Sequence, residues 1–88
     1  MEQILITYDI ENTRKRNAFR NWLEEKGFEY VQDSVYNREF QTEDEVSKLN
    51  NDIIGAKGFF NDGDDVRMFR FDSHWHPIER ERIRFFEG

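Results

Sequence analysis

The alternation of hydrophobic and polar residues predicts a strand followed by a helix at the start of the chain. Residues 4–8 form a β-branched and aliphatic run, apolar on both faces, which is typical of a central strand covered on both sides. Asn12 or Thr13 can cap a helix over about residues 13–26, in which apolar side chains recur at helical spacing. Gly27 supplies the C-terminal stop of that helix.

The middle of the chain predicts a strand pair and a second helix. Residues 28–40 have a period of two that is interrupted at residues 33–34, so we expect a strand that bends or bulges there and continues as a second strand. Thr42 and Glu45 have the spacing of a capping box, in which each side chain satisfies the other's backbone donor. An apolar stripe then runs through a helix over about residues 43–54.

The last part of the chain predicts one more strand and a final helix. Residues 66–71 alternate as a strand, and Pro77 suits the first turn of a helix. The apolar side of this helix would be formed by Ile78, Ile83, Phe85 and Phe86. The predicted order is β-α-β-β-α-β with an extra C-terminal helix, which indicates one α+β domain over residues 1–88, the ferredoxin-like sandwich. Helices cover one face of such a sheet, and the other face stays open.

Composition narrows the class of protein. Aromatic residues reach 16%, which is enough for a core and an interface, whereas a disordered chain is poor in aromatics. Cysteine is absent, which excludes disulfides and thiolate metal sites. No run approaches the roughly 18 apolar residues of a membrane span, and the N-terminus lacks the pattern of a signal peptide. We therefore expect a cytoplasmic protein with no membrane partner.

Three stretches of the sequence resemble one superfamily. The first is residues 6–10, Ile-Thr-Tyr-Asp-Ile, followed by the basic residues 14–16. The second is residues 27–36, with a Gln-x-Ser-Val-aromatic core. The third is residues 66–71, which run on into the His-Trp pair at residues 74–75. Together they are similar to the CRISPR-associated Cas2 proteins and to the related virulence-associated VapD family, and the third stretch resembles VapD more.

This resemblance implies a ferredoxin-like homodimer that acts on nucleic acid. VapD-like proteins are implied to be endoribonucleases, some of them toxin-like. The Cas2 branch is implied to be a dimeric scaffold that holds DNA for spacer integration, with metal-dependent nuclease activity in some members. In that branch the residue matched by Asp9 is the proposed ligand for Mg²⁺ or Mn²⁺, and two such aspartates face each other across the dimer axis.

The chain departs from the Cas2 pattern in its charge. Its formal net charge is −6 and its basic residues are thinly spread, whereas binding to phosphates usually needs a basic surface. Glu11 is the only candidate for a second acid in the loop after the first strand. These departures weaken DNA scaffolding more than RNA cleavage.

Three residues are candidates for catalysis. Asp9 ends the first strand, where a carboxylate can bind a hard cation and its waters, although helix capping or a solvated loop is the alternative. Ser34 can hydrogen-bond a phosphate, although strand serines more often bond to backbone. His74, with His76 nearby, would be the general base if RNA were cleaved without metal, although two histidines alone are a weak signal.

Five residues are candidates for contact with nucleic acid. Tyr8 can stack on a base, although core packing is its more common role. The concentrated basic segment of the first helix and one residue of the last strand can contact phosphates, although a solvated face is the alternative. These basic candidates are Arg14, Arg16, Arg20 and Arg67.

From the sequence we predict a dimeric endoribonuclease of the VapD type that cleaves RNA phosphodiesters, with a toxin-like role and an antitoxin partner. The first alternative is a Cas2-like adaptation protein, either a DNA-holding scaffold with an integrase partner or a metal-dependent nuclease. The second alternative is a catalytically inactive Cas2-like binding protein or inhibitor, which the net acidity favours.

Overall fold

The computed structural model describes residues 1–85 of the chain, and within them it has five strands, two α-helices and a 3-10 helix. The elements are β1 (Glu2–Asp9), α1 (Thr13–Glu25), β2 (Glu29–Gln32), β3 (Val35–Phe40), α2 (Glu43–Ile54), the 3-10 helix Gly55–Phe59, β4 (Asp65–Asp72) and β5 (Pro77–Ile83). Neither α-helix in this part of the chain is long and apolar enough to cross a membrane.

The five strands form one antiparallel sheet in the order β2-β3-β1-β4-β5. β1 lies at the centre, between β3 and β4, and each strand–helix–strand connection skips a neighbour. This is the split arrangement of the ferredoxin-like sandwich, so the predicted fold class is confirmed.

The ends of α1 are fixed by the residues that the sequence indicated. The Asn12 Oδ1 atom accepts a hydrogen bond from the Lys15 backbone N–H at 2.9 Å, which makes Asn12 the N-cap. Gly27 has a φ of +87° and ends the helix in a Schellman motif, because the Phe28 N–H bonds the Leu23 carbonyl at 3.0 Å.

The connection between β2 and β3 is tighter than predicted. Residues 33–34 form a two-residue turn between paired Gln32 and Val35, and Asp33 has a φ of +35°. The Tyr30 hydroxyl supports this turn by accepting a hydrogen bond from the Asp33 backbone N–H at 2.9 Å. The predicted irregularity lies just before it, as a register shift between Tyr30 and Gln32.

The predicted C-terminal helix is wrong, because residues 77–83 form the edge strand β5. Glu and Arg alternate over residues 79–82, which gives the period of two of a strand. Asp72 turns the chain into this strand, since its carboxylate accepts hydrogen bonds from the backbone N–H groups of His74 at 2.8 Å and His76 at 2.9 Å. Ile83 then pairs with Val66 beside the core, and the predicted helical residue Phe86 lies outside the described residues.

The core lies on one side of the sheet. Alternate residues of β1 are buried beneath the helices, so Ile4 and Ile6 are fully buried while Leu5 and Thr7 keep partial exposure on the other face. The prediction that β1 is covered on both sides is therefore wrong for the single chain. The largest fully buried side chains are Tyr36, Phe19, Phe40, Ile4, Ile6, Ile10, Leu23 and Val66.

Arg70 joins four elements through ion pairs. Its guanidinium bonds both oxygens of Glu2, at 2.8 and 2.9 Å, and also reaches Glu43 at 3.1 Å and Glu79 at 3.2 Å. The side chain is only 14% exposed, so water screens its contact with Glu2 less than it screens a surface pair. Hydrogen bonding to Glu2 raises the pKa of Arg70 further above its ordinary value.

We predict that Arg70→Met lowers the free energy of unfolding by about 1–3 kcal/mol, because it leaves a half-buried carboxylate without its cation. The control is Arg67→Met, which removes an arginine that is 55% exposed and should change stability by less than about 1 kcal/mol. Urea unfolding measures both variants. Equal losses would contradict a special role for Arg70.

Candidate functional site at the Asp9 end of the sheet

Asp9 lies at the end of β1 on the open face of the sheet, the face that the helices do not cover. The side chain is exposed, and its register partner across the strand pair is Asp65 at the start of β4. Directly opposed residues of an antiparallel pair point to the same face. Two carboxylates therefore lie side by side at this edge.

Two arginines neutralise the second of these carboxylates. Asp65 accepts a hydrogen bond from Arg67 Nε at 3.0 Å and another from Arg82 Nε at 2.8 Å. No ion pair joins Asp9 to another residue among residues 1–85. Of these two carboxylates, Asp9 is therefore the one that can interact with something outside the chain.

Few donors for a metal ion lie around Asp9 in a single chain. Within residues 1–85 no group of three or more histidines and carboxylates could hold a metal ion. Asp65, the nearest carboxylate by register, is bound by two arginines. Since Mg²⁺ is commonly held by one or two carboxylates together with several waters, the expected binding of Mg²⁺ or Mn²⁺ at Asp9 stays a prediction.

Ser34 lies at the same end of the sheet as Asp9. Its backbone carbonyl accepts a hydrogen bond from the Tyr8 N–H at 3.2 Å, which ties the β2–β3 turn to the end of β1. The residue is half-buried. The structure thus brings together two of the three predicted catalytic residues.

His74 lies at the opposite end of the sheet from Asp9. It follows Asp72, which pairs with Glu2 at the start of β1, whereas Asp9 pairs with Asp65 seven residues earlier in β4. Seven residues of strand span roughly 24 Å. A general base at His74 therefore cannot share one reaction centre with Asp9 of the same chain. The exposed ring of His76 pairs instead with the Asp72 carboxylate at 3.3 Å.

Tyr8 belongs to the core, so its predicted stacking on a base is wrong. The residue is only 6% exposed, and its ring packs edge-on against Phe19 at 5.3 Å between centroids and alongside Tyr36 at 6.3 Å. Burial raises the pKa of Tyr8 to about 12, and the neighbouring Tyr36 adds to this shift while Arg20 and Arg16 oppose it.

The basic residues of α1 differ in how they are held. Arg16 donates to the Ile10 carbonyl at 3.2 Å, and the Arg20 Nε atom donates to the Tyr36 hydroxyl at 3.3 Å. Arg14 is exposed, with no ion pair or side-chain hydrogen bond within residues 1–85. All three can still present guanidinium donors to a phosphate, since Arg carries five N–H groups.

A second basic group lies on the open face of β4 and β5, and two of its three arginines were not predicted from the sequence. Arg67 was predicted, whereas Arg80 and Arg82 were placed in a helix. Together they line a shallow groove around Phe69. The Glu-Arg-Glu-Arg repeat that begins at Glu79 was the signal for a strand with its arginines on one face.

A comparison with known protein families shows which family the chain belongs to. The model of the family described as CRISPR associated protein Cas2 matches residues 1–77. The chain belongs to the Cas2 family. No curated protein matches it.

The Cas2 match covers β1 to β4 and ends at the first residue of β5. Asp9, Ser34 and the basic residues of α1 lie inside the matched part, as does His74. Arg80 and Arg82 lie beyond it. The match supports the superfamily that the sequence resembles, and the closer likeness to VapD remains a prediction.

We predict that Tyr8 makes stability fall with alkaline pH. The unfolded tyrosine releases its proton near pH 10 and the folded one near pH 12, so the stabilisation is complete below about pH 10 and is lost as the pH rises to about 12. Between about pH 9 and about pH 11.5, wild type should lose on the order of 1–2 kcal/mol more than Tyr8→Phe in urea unfolding. Equal losses of stability in wild type and in Tyr8→Phe would contradict the attribution of this pH dependence to Tyr8.

Proposed function

We propose that this Cas2-family chain is a homodimeric scaffold that holds DNA and a partner integrase during CRISPR adaptation. The observation that carries this proposal is the state of the paired carboxylates at the end of β1. Asp65 beside Asp9 is bound by Arg67 and Arg82, so of this pair a single chain leaves only Asp9 available to a metal ion, and His74, the alternative base for cleavage without metal, lies at the opposite end of the sheet. One chain therefore has surfaces for binding without an assembled centre for cutting, and cytoplasmic DNA is the proposed ligand.

The open face supports the homodimer. Leu5 and Phe69 are register partners on this face, with Phe71 beside them and Val35 one strand away. All four are partly exposed, although they lie on the three inner strands of the sheet. A surface of this kind typically marks a protein–protein contact. A second copy is the proposed cover.

The free arginines support the contact with DNA. Arg14 on α1 is exposed and without an ion pair in residues 1–85, and Arg20 has donors left after its bond to Tyr36. Contacts of this kind recognise the phosphate backbone and give binding that weakens as salt rises.

A metal-dependent nuclease is the second candidate, and the exposure of Asp9 is the observation that favours it. Two copies with their open faces together could place two Asp9 carboxylates near each other. Cleavage of RNA in the manner of VapD, with a toxin-like role, would be the corresponding activity.

The test is to incubate the protein with labelled double-stranded DNA and single-stranded RNA, with Mg²⁺, Mn²⁺ or EDTA. We expect salt-dependent binding of DNA, measured by fluorescence anisotropy, and no cutting of either substrate on a gel. Asp9→Ala should bind DNA as wild type does, and Asp44→Ala on α2 is the matched control at an exposed acid. Metal-dependent cutting of RNA that Asp9→Ala abolishes would overturn the scaffold and establish the nuclease.

A further inference from the structure

One row of residues crosses the open face from edge to edge. The register pairs Glu29 with Asn37, Asn37 with Leu5, Leu5 with Phe69, and Phe69 with Arg80. We call these five residues the central row. Read across the sheet, the row is acidic at one edge, polar and then apolar in the middle, and basic at the other edge.

The two charged ends of the central row are not paired within the chain. No ion pair or side-chain hydrogen bond joins Glu29 or Arg80 to another of residues 1–85, and both are exposed. Four strand spacings separate them, which is about 19 Å, so they cannot reach each other in one molecule. Neither end therefore has an opposite charge as a partner among residues 1–85, and each is available to a charge on another molecule.

Each neighbouring row carries one of the two charges, on the same side as the central row does. In the row on one side of the central row, Glu39 of β3 pairs with Gln3 of β1, and Gln3 pairs with Phe71 of β4. In the row on the other side of the central row, Arg67 of β4 pairs with Arg82 of β5. The open face is thus acidic towards β2 and β3 and basic towards β5.

This polarity selects one of two arrangements for a face-to-face dimer. If the two-fold axis ran along the central row, perpendicular to the strands, β5 of one copy would lie over β5 of the other. Arg80 would then face Arg80, and Glu29 would face Glu29. With the axis parallel to β1, the row is reversed in the second copy, so Arg80 lies over Glu29 twice and Leu5 packs on Leu5. Like charges directly opposed across an interface are costly, and a two-fold contact repeats every pair.

We propose that, in the homodimer proposed above, Glu29 of each copy binds Arg80 of the other across a two-fold axis parallel to β1. This inference rests on the proposed function and adds to it the residues that fix the dimer's orientation. The same axis places the two Asp9 residues opposite each other at one end of the interface.

Asn37 gives a further reason for a donor from the second copy. Its Oδ1 atom is buried and has no hydrogen-bond partner among residues 1–85, which is an unfavourable state for a polar atom. The residue is next to Glu29 in the central row, about 5 Å away across the strand pair. After rotation of the terminal torsion of the Asn37 side chain, a guanidinium that binds Glu29 can also reach the Asn37 amide oxygen.

Charge reversal tests the proposal. Glu29→Arg and Arg80→Glu should each weaken the homodimer, with a dissociation constant raised at least about tenfold in sedimentation velocity, because each variant places two pairs of like charges across the axis. A mixture of the two variants should form a heterodimer, detected by native mass spectrometry, since every reversed charge then faces its opposite. The double variant Glu29→Arg/Arg80→Glu should dimerise as wild type does.

The controls are Glu25→Arg on α1 and Lys48→Glu on α2, which make the same charge changes at exposed helical positions and should leave the dimer unchanged. Circular dichroism checks that each variant is folded. A dimeric wild type whose single variants dimerise normally, or whose mixed variants do not recover, would overturn this inference alone. A wild type that stays monomeric would overturn the proposed homodimer and this inference with it.

Discussion

The central constraint on this molecule is that two helices cover only one face of a five-stranded sheet. α1 and α2 bury Ile4, Ile6 and Tyr8 of the central strand, while the residues between them face outwards. The chain of 88 residues has no further described element to cover that second face. The open face, with its apolar middle and charged edges, follows from this one-sided packing, and so do the proposals about what binds there.

Charge is distributed in a way that separates structural groups from available ones. Arg70 and Asp65 each gather several opposite charges and hold strands together at the two ends of β4. Asp9, Glu29 and Arg80 lie on the same sheet without such partners in residues 1–85. This difference separates the residues that hold the fold together from those that are available to another molecule.

Most of the fold could be predicted because its signals are local. Asn12, Gly27 and Thr42 end or begin helices by bonding to backbone within a few residues, and the Glu45 N–H does bond the Thr42 hydroxyl at 3.2 Å. β5 was missed because Pro77 is compatible with both a helix start and an edge strand. What decided between them was pairing with β4, which a local pattern does not contain.

The candidate site was only partly predictable for the same reason. Asp9 and Ser34 come together because β1 and the β2–β3 turn end at one edge, which the fold class implies. His74 was predicted from residue type alone, as the base for cleavage without metal, and the antiparallel direction of β4 places it at the far end of the sheet. Tyr8 is buried because alternate residues of β1 face the helices and Tyr8 is one of them.

The most direct test of the account is the mass of the wild-type protein in solution, measured by sedimentation equilibrium over a range of concentrations. If a second copy covers the open face, as we propose, the protein sediments as a species of twice the chain mass of 10.8 kDa. A mass of one chain at every concentration would contradict it. The open face would then have to be explained by a different partner.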